Sequence, residues 1–341
     1  MIEANVLKGF VSDVLVAHGV AEDYASVTAD VLVEADLRGH NSHGVSRLGR
    51  ILTGIKAGTH NPSGRAEVEQ DKGATALLTG NQGLGHPVAK EAMKLAIKKA
   101  KEYGIGSVGI HNTTHFGMAG YYSELAAEQG MIGITVCNTE PAIAAFGGNK
   151  KIVGTNPIAF AAPYTEGRPV LVDMATSAIA RGKALEASRK GEKLPPMVAM
   201  DSEGNPTQDP KKALDGSLIA IGSAFAYKGF GLAMAFDLLS GALVRGHCGT
   251  DVHGSATTTE RSTVGDFMIA INIANFTDIS EFKQKTSKLV DEVKESGEGV
   301  LYPGEKEQVT RDERLKNGIP LDEGLISELR KMGREVNVNL E

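Results

Sequence analysis

The sequence predicts an α/β fold, and three observations predict it. Short apolar, β-permissive runs alternate with longer segments whose apolar residues recur at helical spacing, which is the signature of helices layered on a sheet. Glycine occurs 41 times and tryptophan not at all, a usage that fits many tight turns and close backbone approaches between layers. A chain of 341 residues is too long for one small core and suits two or three subdomains.

The elements follow in order. Residues 3–18 and 23–38 carry helical periodicity and stop at Gly19 and Gly39. Ser42 is a fair N-cap for a helix running to about Ile55, with Val45, Leu48, Leu52 and Ile55 on one stripe and His43, Arg47 and Arg50 on another. Three cationic or protonatable groups on one short face repel each other unless something anionic sits there; on spacing alone a solvated face is equally open. Residues 74–79 read as a strand, and after the glycine-rich turn 80–85, Pro87 suits the first position of a helix ending at Gly104. Glu91 in its first turn and Lys98, Lys99 and Lys101 in its last agree with the helix dipole. A strand at 106–111, a helix at 117–129 and a strand at 131–137 come next, with His115 in the loop between the first two.

A strand at 168–173 runs into Asp173-Met174-Ala175-Thr176-Ser177, and a helix beginning near Ala178 contains Arg181 and Lys183. Prolines and glycines mark 191–216 as a loop-rich excursion. Leu232 to Val244 is apolar almost all round, which predicts a buried helix. Lys228 at its N-terminal end, where the dipole disfavours a cation, points to an anionic ligand or to a neighbouring acid. Residues 249–265 read as a polar loop, 267–273 as a strand, and 278–295 and 322–334 as two charged helices separated by the turn Tyr302-Pro303-Gly304-Glu305. No internal repeat is visible.

Composition excludes several classes. A net charge of −6 with mixed signs gives no basic face for nucleic acid. Two cysteines, Cys137 and Cys248, argue against a disulfide framework and for a reducing, cytoplasmic location, with both read as small buried hydrophobes. No charge-free stretch of membrane-spanning length and no signal peptide is present, so no membrane association is expected. His40-x-x-His43 and His111-x-x-x-His115 have possible ligand spacings but lack the glutamate of H-E-x-x-H, and no metal is expected. No G-x-S-x-G elbow supports a serine hydrolase. Gly104-Ile105-Gly106-Ser107-Val108-Gly109 matches G-x-G-x-x-G, yet it leaves a helix and opens a strand, the reverse of the dinucleotide fingerprint.

What remains suits 2-oxo acid reduction. Such a reaction needs a hydride-carrying cofactor, an acid for the developing alkoxide and a cation for the neighbouring carboxylate. His115, at a strand exit, has the chemistry of the acid, and Arg47 that of a bidentate carboxylate clamp. A second cation, Arg50 or Arg181, would receive a distal anionic group.

Over nearly its full length the chain resembles the malate and L-lactate dehydrogenase family that is distinct from the Rossmann-fold lactate dehydrogenases. The resemblance rests on Ala35-Asp36-Leu37-Arg38-Gly39 leading to Ser42-His43-Gly44-Val45-x-Arg47, on Asn112-x-x-His115-Phe116-Gly117-x-Ala119-Gly120-Tyr121-Tyr122, and on Gly154-Thr155-Asn156-Pro157. It continues in Asp173-Met174-Ala175-Thr176 through Lys183, in Asp201 to Pro210, in Lys228-Gly229-Phe230-Gly231 and in Tyr302-Pro303-Gly304-Glu305. The resemblance implies a non-Rossmann α/β fold in which a central nicotinamide-binding domain (71–262) is inserted between helical N-terminal (1–70) and C-terminal (263–341) parts. It also implies a homodimer with sites near the interface and NAD or NADP as cofactor. Carried over by position, His115 would be the acid/base, and His43 and Arg47 would contact the substrate. Thr139, Asp173, Met174, Ala175, Lys228, Pro303, Gly304 and Glu305 would line the cofactor. Tyr227 departs from the proline or histidine that many members carry before the lysine. The wording Met131 to Thr135 with Asn138 to Pro141 is similar to archaeal members, which implies malate/oxaloacetate or L-sulfolactate/sulfopyruvate as the substrate pair. The alternatives are a ureidoglycolate or cyclic-imine (Δ1-piperideine-2-carboxylate) oxidoreductase of the same family, or a non-catalytic nucleotide or metabolite sensor.

Overall fold

A computed structural model describes residues 1–164, 168–254 and 258–340, so that 255–257 of the expected polar loop lie outside it. The chain opens with a helical hairpin, α1 (Ala4–Ala17) and α2 (Glu22–Leu37). Leu7, Phe10, Val11, Val14 and Leu15 recur at the spacing of one helix face, and all are buried. The next helix does not start at Ser42. Residues Asn41–His43 and Val45–Arg47 form two 3-10 turns, and α3 (Leu48–Ala57) begins only afterwards. The cause is Asp36 on α2, whose carboxylate accepts the Val45 N–H at 2.7 Å and draws this segment back onto the hairpin.

Strands β1 (Glu67–Lys72) and β2 (Thr75–Thr79) lead into α4 (Gly85–Tyr103), β3 (Ile105–His111), α5 (Ala119–Ala127) and β4 (Met131–Cys137). Pro87 is the third residue of α4 rather than the first. Helix α5 is shorter than its apolar pattern because the Asp173 carboxylate takes the Gly120 N–H at 2.7 Å and so fixes its N-terminus. Then come β5 (Ile143–Ala144), β6 (Lys151–Val153), β7 (Ile158–Ala162), β8 (Val170–Met174), α6 (Arg181–Lys190), β9 (Ala199–Met200), α7 (Pro210–Asp215), β10 (Ser217–Leu218) and α8 (Tyr227–Ser240). β11 (Asp266–Asn272), α9 (Ile279–Glu295), α10 (Glu305–Asn317) and α11 (Glu323–Arg334) complete the chain. The excursion at 191–216 thus holds two short elements, β9 and α7. The final stretch has a helix, α10, that shows no apolar stripe because Val309 and Leu315 are its only large apolar residues.

The large sheet has the order β1-β2-β3-β11-β4-β7-β8, and β2 and β3 are its one parallel pair. A doubly wound dinucleotide sheet is parallel throughout its core. Strand β11, which the expected partition assigns to the C-terminal part, lies between β3 and β4 in the middle of this sheet. A small second sheet, β6-β5-β10-β9, shares an alanine-rich core with α6, α7 and α8. Helices α4 and α5 cover one face of the large sheet and α8 packs on the other. The G-x-G-x-x-G stretch serves this layering: a Cβ at Gly106 would stand 2.1 Å from the Ala96 carbonyl of α4. Helix α10 packs on α2 and α11 on α1 and α3, and Ile2 bridges Ile319 through two backbone hydrogen bonds of 3.0 and 2.8 Å.

Helix α8 departs from its expected burial. Gly229, Ala233, Phe236, Asp237 and Ser240 are buried, but Leu232, Met234 and Leu238 are 43, 50 and 50% exposed. Only one side of the helix meets the sheet, and among the described residues the other is left largely exposed. By length and composition Tyr227–Val244 would suffice to cross a membrane. It is nevertheless broken at Gly241 into α8 and a 3-10 turn, and its Asp237 is buried, accepting from the Gly249 N–H at 2.7 Å. Cys137 is buried as expected, whereas Cys248 is half-buried.

Candidate active site

The carboxyl ends of β3 and β4 point into a cleft of about 340 Å³ between the large sheet, the small sheet and the two 3-10 turns after α2. Strand β3 runs on to His115, β4 to Asn138, Thr139 and Glu140, and β8 delivers Asp173, Met174 and Ala175. The 3-10 turns bring His43 and Arg47, α3 brings Arg50, and the first turn of α6 brings Arg181 and Lys183.

His115 stacks on His43 with ring centroids 5.6 Å apart and meets His86 edge-on at 6.4 Å. Part of its ring opens to the cleft, but the protein around it removes most of its water. Burial, then Arg47, His43 and His86, hold its pKa well below the ordinary histidine value, so the free ring is neutral at pH 7. The Gly117 N–H donates to its Nδ1 at 3.2 Å, which puts the proton of the neutral ring on Nε2. Burial and then Arg47 push His43 down to about 3, and its Nδ1 lies 3.0 Å from the Ser42 hydroxyl.

Arg47 donates from Nε to the Ser42 carbonyl at 2.5 Å, which leaves the two terminal nitrogens for an end-on, bidentate pair. Burial and then Arg50 push its pKa down to about 10, still cationic at neutral pH. Arg50 stands beside it. Arg181 is paired with Glu140 at 2.8 Å on the cleft rim, so an anion approaching Arg181 competes with that carboxylate.

Not every candidate is brought here. Lys228 lies outside the cleft, its ammonium 5.5 Å from the Phe225 ring centroid. Pro303, Gly304 and Glu305 pack outside β8: the Pro303 carbonyl accepts from Leu171 N–H, and Glu305 pairs with Lys294. His111 faces Glu69 at 3.1 Å, away from His115. Among the described residues no group of three His, Cys, Asp or Glu is placed to hold a metal ion.

Two residues of the site escape sequence reasoning. His86, buried, has no hydrogen-bond partner on either ring nitrogen among the described residues, and burial pushes it down to about 3. Asp266, on the cleft wall, is wholly buried, and among the described residues neither carboxyl oxygen has a hydrogen-bond partner. Its signal was available, since an acid opening the apolar run Phe267 to Ile271 is out of place in a buried strand.

Comparison with known proteins shows the family. The profile of the malate/L-lactate dehydrogenase family matches residues 2–330. The chain is 46% identical over 333 residues to a malate/(S)-sulfolactate dehydrogenase of Methanothermus fervidus, covering 98% of this chain and 97% of that one. It is 42% identical to a malate dehydrogenase of Pyrococcus abyssi, covering 99 and 95% of the two chains. The solved sulfolactate dehydrogenase of Methanocaldococcus jannaschii superposes with a TM-score of 0.92 at 46% identity, covering 99% of this chain and 98% of that one.

Proposed function

The chain belongs to the malate/L-lactate dehydrogenase family, and from that premise we propose that it interconverts a 2-hydroxy acid and a 2-oxo acid bearing a second acidic group, malate/oxaloacetate or L-sulfolactate/sulfopyruvate. The observation that carries the reading is a histidine with its Nε2 protonated, set in a cleft whose other walls carry Arg47, Arg50 and Arg181. The relatives' names favour these substrates over ureidoglycolate, a cyclic imine or a sensor role.

A nicotinamide cofactor, NAD or NADP, supplies the hydride when bound. The unpartnered carboxyl of Asp266 on the cleft wall fits a ligand with its own hydrogen-bonding groups, and Thr139, Asp173, Met174 and Ala175 form the wall that would hold the cofactor. Arg47 pairs with the substrate carboxylate, which orients the adjacent carbonyl toward His115. Protonated as the imidazolium, His115 gives its Nε2 proton to the carbonyl oxygen as it becomes an alkoxide and is left neutral; in the reverse direction the neutral ring, with its remaining proton on Nδ1, takes the hydroxyl proton at Nε2. The arginines that repel a proton from free His115 are neutralised by the bound dianion, so substrate binding raises the basicity of the ring where it is needed. Arg50 and Arg181 are the candidates for the distal carboxylate or sulfonate.

The exposed apolar side of α8, with Phe225 and Tyr227 before it, supports a homodimer through that face. The reducing-compartment composition supports a cytoplasmic location. Replacing His115 by alanine is expected to lower turnover by about 10²–10⁴-fold while NADH binding persists. Unchanged turnover refutes the assignment. NADH binding in the unaltered chain without oxidation by any 2-oxo acid returns the sensor reading.

A further inference from the structure

Beyond its place on the cleft wall, Asp266 has no assigned partner in the chemistry above. It opens β11 wholly buried, and neither carboxyl oxygen has a hydrogen-bond partner among the described residues. Buried polar groups are rarely left so, which marks the site as one completed by a ligand or a water. Among the described residues no cation is placed to hold a negative charge there, and burial raises its pKa well above the carboxylate range, so the side chain is a neutral acid at pH 7.

Position narrows the ligand. Asp266 pairs in register with Ile110 on β3 and with Cys137 on β4. Strand β3 continues to His115, which shares the cleft with Arg47, whereas β4 continues to Thr139 on the wall read as the cofactor side. The residue therefore stands between the two halves of the cleft, where the reacting ring of a cofactor has to lie. Chemistry narrows it further. The substrate half is cationic and suits anions, but an uncharged carboxyl presents one O–H donor beside one C=O acceptor. The matching partner is a primary carboxamide, with its own N–H and C=O side by side, and the nicotinamide ring carries that group next to its hydride-bearing carbon.

We propose that the Asp266 carboxyl is the two-point hydrogen-bond partner of the nicotinamide carboxamide, setting the rotation of the ring against the substrate. The proposal rests on the dehydrogenase reading of the cleft and adds a specificity residue to it.

The test is equilibrium binding, by fluorescence titration of the whole chain, of NADH and of reduced 3-acetylpyridine adenine dinucleotide, in which a methyl replaces the amide nitrogen. The unaltered protein should bind NADH about tenfold tighter than the analogue. Asp266→Asn, which keeps one donor and one acceptor, should stay within about threefold of it, while Asp266→Leu should bind NADH about tenfold more weakly and no longer distinguish the two. Equal binding of both by the unaltered protein overturns the proposal without recourse to a variant. So does discrimination that persists in Asp266→Leu, or a variant that loses affinity for oxalate, a dianion resembling the substrate, and keeps NADH. Absence of NADH binding by the unaltered protein overturns the dehydrogenase reading itself, and this proposal with it.

Discussion

The proposed function gives Arg47 two separable duties, and replacing it tests both. Its Nε is committed to the Ser42 carbonyl, so its hold on substrate is an end-on pair of charge-assisted hydrogen bonds. Counting only one such bond, at about 1.5–3 kcal/mol net and about 1.4 kcal/mol per decade, Arg47→Met should weaken oxalate, a substrate-like dianion, by at least about 10–150-fold. Arg47→Lys keeps the charge but loses the fork, and should fall between, at about tenfold. The second duty is electrostatic. After burial, Arg47 is the largest influence holding His115 below its ordinary value. Its loss should raise the His115 pKa, moving the alkaline limb of the kcat/KM profile for NADH oxidation to higher pH in Arg47→Met and leaving it in place in Arg47→Lys. The assay is oxalate inhibition of NADH oxidation across pH, with the melting temperature as a check on folding. Oxalate affinity within about threefold of the parent, with an unmoved pH limb, would refute the reasoning.

Three further outcomes are expected. Arg38, buried between Glu34 and Glu124, should cost about 3–5 kcal/mol of urea-measured stability as Arg38→Met, because Glu124 is left buried without its partner while Glu34 keeps Arg311 at 2.6 Å. A loss below about 1 kcal/mol would contradict this. Gly44→Ala should lower turnover with NADH affinity intact, since its Cβ would fall 1.9 Å from Asp36 Oδ1 and break the tie that seats His43 and Arg47; normal turnover would refute that seating. Acid stability reports on Asp266. His43, His60 and His86, at about 3, 4 and 3 when folded, each bind a proton on unfolding near pH 5, so their contribution is full above about 6.5 and is lost as pH falls. Asp266, protonated when folded and ionised when unfolded at that pH, opposes this trend. Asp266→Asn should therefore lose stability between pH 6 and 5 more steeply than the parent, by about 1.4 kcal/mol per unit, and coincident slopes would mean that Asp266 is ionised in the fold.

The layers were legible because they are built from periodicity. The α1–α2 hairpin, β2, β3, β4 and β11 lie within a residue or two of their apolar patterns. Elements without such a pattern stayed hidden. β1 is Glu-Val-Glu-Gln-Asp-Lys on a sheet edge, and α10 is held by ionic contacts such as Arg311 with Glu34 rather than by an apolar stripe. Tertiary hydrogen bonds moved two helix starts that local signals placed elsewhere: Asp36 withholds Val45 from a helix, and Asp173 sets the start of α5. In the cleft, His115, Thr139 and Asp173 follow strands, as the sequence placed them, whereas His43 and Arg47, expected on a helix face, reach the same cleft from two 3-10 turns. His86 and Asp266 did not stand out, because their importance lies in being buried without partners, a property of packing and not of spacing. The exposed side of α8 shows the converse error. An all-round apolar helix reads as core, but here one half of that surface remains outside the single chain.

The most direct measurement is the initial rate of NADH and NADPH oxidation with oxaloacetate, sulfopyruvate and pyruvate under identical conditions. The account predicts oxidation with a clear preference for the two dianions over pyruvate, because Arg50 or Arg181 adds a second cation beyond the Arg47 clamp. Pyruvate turned over as well as the dianions would remove the second cation from the account. No oxidation with any of the three would contradict the 2-oxo acid reaction itself.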